Sequence, residues 1–234
     1  MTLQELKDQL SKIGIDIDEE KLHQLDQYLD LLIEWNEKIN LTAIKTKEDM
    51  IEKHLYDCLL FSKQLKFEDQ SLLDVGTGAG LPGIPLKIVY PDLFITLLEP
   101  TTKRVNFLNL VIQQLGLKRI VTVNLRAEEY IKEVRSYYDF VTARAVARLN
   151  ILNELCLPFV KQGGYFIAMK GAKADEEMLE AANSLKILNS QIDFVQKVNL
   201  ISNDDERNNI FIKKIDEINL KYPRPYAQIK KKPL

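Results

Sequence analysis

"LLDVGTGAGLPGIP", Leu72 to Pro85, decides the fold. A short apolar run meets an aspartate, and four glycines follow within eight residues, at 76, 78, 80 and 83. The strand predicted at 71–75 ends on Val75, so the turn begins at Gly76. Counted from there, the pattern is Asp74-x-Gly76-x-Gly78-x-Gly80. Counted from Gly78, the same letters give the dinucleotide fingerprint Gly78-x-Gly80-x-x-Gly83, with Glu99 as the acid closing the second strand. Pro82 and Pro85 crowd that second version, where a helix start has to meet a pyrophosphate.

Downstream of this loop the chain alternates. Short apolar runs at 71–75, 94–98, 120–124, 138–143 and 164–169 are separated by helical stretches at about 83–90, 103–115, 127–134 and 149–160. Alternation of this kind predicts an α/β fold with a mostly parallel sheet. A further helix is predicted at 174–187. Then "DFVQKVNLI" and "NIFIKKI" read as strands joined only by "SNDDERN". That link is too short for a crossover helix, so these two form an antiparallel hairpin. Upstream, residues 1–70 read as helices. Leu3, Leu6, Leu10 and Ile13 keep helical spacing, and so do Leu22, Leu25, Leu29, Leu32 and Ile33. Asp16 and Glu19 are placed to form a capping box before the second helix. "NLT" at 40–42 breaks the pattern, and Met50, Ile51, His54, Leu55, Cys58 and Leu59 restore it. Three regions follow: a helical region 1–70, a Rossmann-like region 71–220 and a basic tail 221–234.

The chain has 234 residues, 46% hydrophobic and 28% charged, which is enough for a packed core. No opening leader and no membrane span is expected, and a cytoplasmic setting fits. Cys58 and Cys156 share no ligand spacing, Cys58 lies on an apolar stripe, and no metal site is expected. The net charge of −2 hides an asymmetry. Residues 221–234 hold Lys221, Arg224, Lys230, Lys231 and Lys232 and no acid, leaving 27 basic against 34 acidic groups elsewhere. Pro223, Pro225 and Pro233 disfavour a helix there, so the tail is expected to lie extended along a polyanion.

The register that starts at Gly76 suits S-adenosylmethionine, which has an adenosine and a zwitterionic tail but no phosphate. Glycines allow close backbone approach because no Cβ intervenes. Glu99 is placed to accept hydrogen bonds from the two ribose hydroxyls. "RAEEY" at 126–130 follows the third strand, where an adenine is expected.

Longer stretches carry a family resemblance. "LLDVGTGAGLPGIPLKI", "LLEPTTKRVNFLN", "RAEEY", "VTARAVA" and "LCLPFVKQGGYFIAMKG" resemble the bacterial 16S ribosomal RNA guanine-N7 methyltransferases, the RsmG or glucose-inhibited division protein B (GidB) family. So do "WNEKINLT", "KHLYDCLL" and the tail "KYPR…KKPL". Cys58 departs from the serine expected in that family's "HxxDS", with size conserved. The resemblance implies a class I methyltransferase fold preceded by helices, and methylation of guanine 527 of 16S rRNA. It implies cofactor contacts at Gly76, Leu81, Ala127, Glu128 and Arg144. Gly78 and Glu99 join them on the argument from the loop and the strand end.

Guanine N7 has a lone pair and no proton to lose, so no general base is expected and no catalytic residue is assigned. "TARAVA" shows no Asp/Asn-Pro-Pro-aromatic box, and neither cysteine follows a proline. Candidate substrate residues are His54, Lys103, Arg104 and Lys170. The expected partner is 16S rRNA or the small ribosomal subunit, with no membrane and no obligate protein partner. Two other readings stand beside this one. One is an NAD-dependent oxidoreductase, and the other is a non-catalytic rRNA-binding assembly factor.

Overall fold

The computed structural model describes residues 1–234. Helix α1 (Leu3–Lys12) opens with a reciprocal cap. The Thr2 hydroxyl accepts the Glu5 N–H, and the Glu5 carboxylate accepts the Thr2 N–H. Helix α2 (Glu19–Ile39) is capped by Asp18, whose carboxylate accepts the Lys21 N–H at 2.8 Å. This corrects the cap expected from Asp16 and Glu19. Asp16 instead accepts the Ser11 hydroxyl at 3.0 Å, and the helix starts two residues later. Asn40, at φ 50°, ends α2 at the break that "NLT" predicts. A helical run follows: α3 (Lys47–Met50), a π-helical turn (Ile51–Tyr56), α4 (Asp57–Leu60) and a 3-10 turn (Phe61–Gln64).

The α/β part begins with β1 (Ser71–Val75), α5 (Gly83–Val89), β2 (Phe94–Leu98), α6 (Thr102–Gln114) and β3 (Ile120–Val123). It continues with α7 (Ala127–Tyr130), β4 (Tyr138–Arg144), α8 (Leu149–Cys156) and β5 (Val160–Lys170). The expected helix 174–187 is divided at Ala181 into α9 (Ala174–Glu180) and α10 (Ala182–Ile187). Then come β6 (Ser190–Asn199), β7 (Glu206–Lys214) and α11 (Tyr226–Lys231). The seven strands lie in the order β3-β2-β1-β4-β5-β7-β6. The first five are parallel, and β7 runs antiparallel between β5 and β6. β1 and β2 match their apolar runs because central parallel strands are buried on both faces. β5 begins earlier than expected because Val160 pairs with Tyr138 before a register shift.

The strand order reverses beside β1 and β4, which opens a crevice at their carboxyl ends. One sheet face is covered by α1, α2, the 47–64 run, α5 and α6, which share a single apolar core. Leu6, Leu25 and Leu29 of the first two helices are fully buried in it, beside Leu72, Ile84 and Phe107. Each such leucine contributes about 1.5–3 kcal/mol. The other face is covered by α7, α8, α10 and α11.

The tail is folded back, which corrects the extended reading. α11 buries Ile229 completely, and Arg224 grips the fully buried Glu154 of α8. Pro223 and Pro225 precede the helix and Pro233 follows it, so the prolines bound a short helix instead of forbidding one. No helix is long and apolar enough to cross a membrane.

Candidate active site

The glycine loop is shaped from within. Asp74, fully buried at the end of β1, accepts the Thr77 hydroxyl at 2.6 Å and the Gly83 N–H at 2.9 Å through one oxygen. Its other oxygen faces the Thr142 hydroxyl of β4 at 3.3 Å. Burial pushes this carboxyl up to about 6, and the Thr77 and Gly83 donors oppose that rise. Asp74 therefore ties together β1, the loop, the start of α5 and β4. It leaves no Gly83 amide for a pyrophosphate, so the dinucleotide register lacks its anion site.

Gly76 and Gly78 both take left-handed backbone, at φ 68° and 61°, for different reasons. A Cβ on Gly76 would meet Val146 at 2.8 Å, so this glycine lets the segment after β4 pack on the loop. A Cβ on Gly78 would meet only the Gly76 carbonyl, at 4.0 Å. Glu99, 2% exposed at the end of β2, accepts the Gly78 N–H at 3.1 Å and the Thr101 N–H at 2.9 Å, one on each oxygen. Each oxygen keeps a free lone pair. From α2, the Tyr28 hydroxyl donates to the Ala79 carbonyl at 2.9 Å, and the Ala79 N–H is unpaired.

Two cavities adjoin at the carboxyl ends of β1 and β4. The smaller, about 270 Å³, is walled by Gly76, Gly78 and Leu81 on one side, with Thr42 opposite and Arg104 from α6. The larger, about 570 Å³, holds the basic side chains Lys53, Arg148, Lys170 and Arg207, with Asp57 and Glu177 as its acids. His54, Arg144 and Ala145 belong to both. Arg144 is the common wall. Its Nη1 donates to the Lys53 carbonyl at 3.0 Å and to Asp57 at 3.1 Å, and its Nη2 lies 3.1 Å from His54 Nδ1. Asp57 also pairs with Arg207 Nε at 3.4 Å. Burial pushes the Asp57 carboxyl up, and the two arginines oppose it. Burial, with the Arg144 charge behind it, pushes the His54 imidazole down to about 3, so it is neutral near neutral pH.

The helical run makes this possible. In its π turn the Asp57 N–H reaches back five residues to the Glu52 carbonyl. Buried Glu52 accepts the Ile201 and Ser202 amides at 2.6 and 2.8 Å, which fastens the β6–β7 turn to the run and brings Arg207 to Asp57.

Helix α9 supplies the opposite charge at the rim. Glu176 and Glu180 hold Arg148 Nη2 at 2.7 and 2.8 Å. Glu177 holds Lys170 at 2.7 Å and accepts the Leu149 N–H. Asp175 holds Lys197 at 2.9 Å.

Of the residues expected from sequence, Gly76, Gly78, Leu81, Arg104, Arg144 and His54 line the smaller cavity. Lys170 lines the larger one, paired to Glu177 and donating to the Ala147 carbonyl. Glu99 stands behind Gly78 and lies 3.7 Å from Arg104. Ala127 is buried at the start of α7. The structure does not bring the Glu128 side chain to the loop: it lines a separate cavity with Arg135 and Tyr222. Lys103 is exposed beside Arg104, with no ion pair. The sequence pattern missed Arg207, Arg148 and the three α9 glutamates. Nothing in "NDDERN" marks Arg207, because its partner Asp57 is 150 residues away. No cluster of His, Cys, Asp or Glu is placed to hold a metal.

Comparison with known proteins assigns the chain. The model of the rRNA small subunit methyltransferase G family, GidB, matches residues 21–208. The chain belongs to the GidB family. A ribosomal RNA small subunit methyltransferase G of Clostridium botulinum is 45% identical over 232 residues, covering 98% of this chain and 97% of that one. The Staphylococcus epidermidis protein of the same description is 44% identical over 236 residues, covering 100% and 99%. Among solved structures, M. jannaschii TYW2 in complex with AdoMet superposes with a TM-score of 0.57 at 14% identity, covering 74% of this chain and 80% of that one. That likeness is one of fold, and it supports the class I methyltransferase architecture. In this chain the helical run before β1 supplies His54 and Asp57 to the crevice, and the segment between α2 and α3 supplies Thr42.

Proposed function

We propose that this chain transfers the methyl group of S-adenosylmethionine to N7 of a guanine, position 527, in 16S ribosomal RNA. One observation carries the reading: two cavities meet at Arg144 and His54, one walled by the glycine loop and the other by four further cations. Bound S-adenosylmethionine supplies an electrophilic methyl on a sulfonium. The residues present fit it. Gly76, Gly78 and Leu81 leave the backbone bare for close approach. The free lone pairs of Glu99 suit the ribose hydroxyls, and Ala127 and Glu128, which open α7 after β3, are the residues assigned to the adenine. Lys53, Arg148, Lys170 and Arg207, each held by an acidic partner, offer the larger cavity donors that a polyanion's phosphates can take over. His54 is neutral, and both its ring nitrogens lie within 3.1 Å of protein partners. It therefore takes no proton from substrate, and guanine N7 has none to give. Arg144 orients both sides, which makes positioning the main contribution. A ribosomal substrate makes the cytoplasm the setting of the reaction.

The test is methyl transfer to small subunits from cells lacking this modification, followed by digestion and mass mapping of 16S rRNA. The expected product is 7-methylguanosine at a single guanine. An exocyclic N-methyl or a C-methyl product would overturn the assignment.

A second expected result concerns Gly78→Val. The new side chain projects into the 270 Å³ cavity from a left-handed backbone that β-branched residues avoid. Affinity for S-adenosylmethionine falls by roughly tenfold or more, ~1.4 kcal/mol. Calorimetry on the folded variant checks it, and undiminished affinity would move the cofactor elsewhere.

A further inference from the structure

Thr42 lies in the "NLT" break after α2, where no ligand role was expected, yet it lines the smaller cavity. Its hydroxyl oxygen is 2.8 Å from His54 Nε2 and accepts the Ile44 N–H at 3.1 Å. The His54 tautomer follows from its neighbours. Arg144 is only a donor, and its Nη2 is 3.1 Å from Nδ1, so Nδ1 accepts. The Lys53 carbonyl also lies 3.1 Å from Nδ1 and has a second lone pair, but a proton on Nδ1 would face the Arg144 Nη2–H head on. The imidazole proton is therefore on Nε2, and it is donated to Thr42. Both lone pairs of the Thr42 oxygen are then engaged, by Nε2–H and by the Ile44 N–H. What remains is the hydroxyl proton, free to be donated into the cavity.

The rest of that cavity is also rich in donors. It is lined by Arg104 and Arg144 and by no acidic side chain. The Ala79 amide on its loop side has no acceptor in the protein. A wall with two guanidiniums, a free amide and a free hydroxyl proton suits an anion that accepts several hydrogen bonds.

We propose that Thr42 is a ligand-binding residue whose hydroxyl donates to the carboxylate of the cofactor's amino-acid end. This rests on the S-adenosylmethionine reading given above. It makes the segment after α2 part of the cofactor site and couples it, through His54, to Arg144. A hydrogen bond to a charged acceptor is worth roughly tenfold or more in affinity.

The test pairs two ligands with three proteins by calorimetry: S-adenosylmethionine and its decarboxylated analogue, with wild type, Thr42→Ser and Thr42→Val. Thr42→Val is expected to bind S-adenosylmethionine about tenfold more weakly and the decarboxylated analogue nearly as wild type does. Thr42→Ser, which keeps the hydroxyl, is expected to bind both as wild type does. An equal loss for both ligands in Thr42→Val would make Thr42 a support for His54 and overturn the proposal. Unchanged S-adenosylmethionine binding would overturn it too. If wild type fails to bind S-adenosylmethionine, the cofactor reading itself has failed, and that result is distinct from either.

Discussion

Arg144→Lys lowers kcat/KM by on the order of a hundredfold while the protein stays folded. The guanidinium reaches the Lys53 carbonyl, Asp57 and His54 Nδ1 at once, at 3.0 to 3.1 Å, from a planar fork. An ammonium carries its three donors on one atom at the end of a flexible stem and cannot span those acceptors. His54 loses the donor that fixes its tautomer, and the wall between the two cavities loses its shape. A displacement near 1 Å costs about a hundredfold where positioning carries the catalysis. Asp57 keeps Arg207 at 3.4 Å, so the buried carboxylate is not stranded and the fold survives. Steady-state methyl transfer together with a melting curve checks this. An unchanged rate in the folded variant would remove Arg144 from the site.

The second large effect is on stability. Arg224→Met is expected to cost about 3 kcal/mol, at the lower end for breaking a buried ion pair. Glu154 is fully buried, and it accepts Arg224 Nε and Nη2 at 2.8 and 2.7 Å and the Arg224 N–H at 2.8 Å. Removing the guanidinium leaves a carboxylate with one backbone donor. The Arg224 side chain is 23% exposed, so water reaches the gap and holds the cost near the lower figure. At 2–4 °C per kcal/mol for a chain of this size, Tm falls by about 6–12 °C. Adding Glu154→Leu to the same protein restores most of the loss, because no charge is then left unpaired. Thermal unfolding of the single and double variants decides it. A fall under about 2 °C for the single variant would mean that the pair is screened by solvent.

The sequence made the sheet legible wherever one local signal sufficed. The apolar runs located β1 and β2 to the residue, and the short "SNDDERN" link fixed the hairpin. Capping was less legible: Asp16 and Asp18 both precede a helix, and only the path of the chain after α1 decides that Asp18 caps it. The glycine loop could be read because close backbone approach leaves its mark within eight residues. The charge network could not. Asp57 meets Arg144 and Arg207, and Glu52 meets Ile201, through pairings that exist only once the end of β4 and the hairpin both meet the helical run. The tail misled for a related reason. A dense local charge is visible in sequence, but the fully buried Glu154 that claims Arg224 lies 70 residues earlier.

Helix α9 brings its own counter-ions to the rim of the larger cavity. Arg148 and Lys170 there, and nearby Lys197, are each neutralised by a carboxylate that stays attached to the protein. A polyanion binding beside them displaces tethered glutamates and an aspartate, whose unpaired charges then stay beside its phosphates and hold back the cations that neutralisation would otherwise free. The salt dependence of binding comes from freed ions, about 0.7 in the slope of log K against log salt for each phosphate neutralised on a single strand. These three cations therefore add little to that slope, although Arg148 and Lys170 line the larger cavity itself. An RNA that displaces the carboxylates must match their spacing, so the rim behaves as a shape-selective ion exchanger that favours the strand that fits over any strand that is charged.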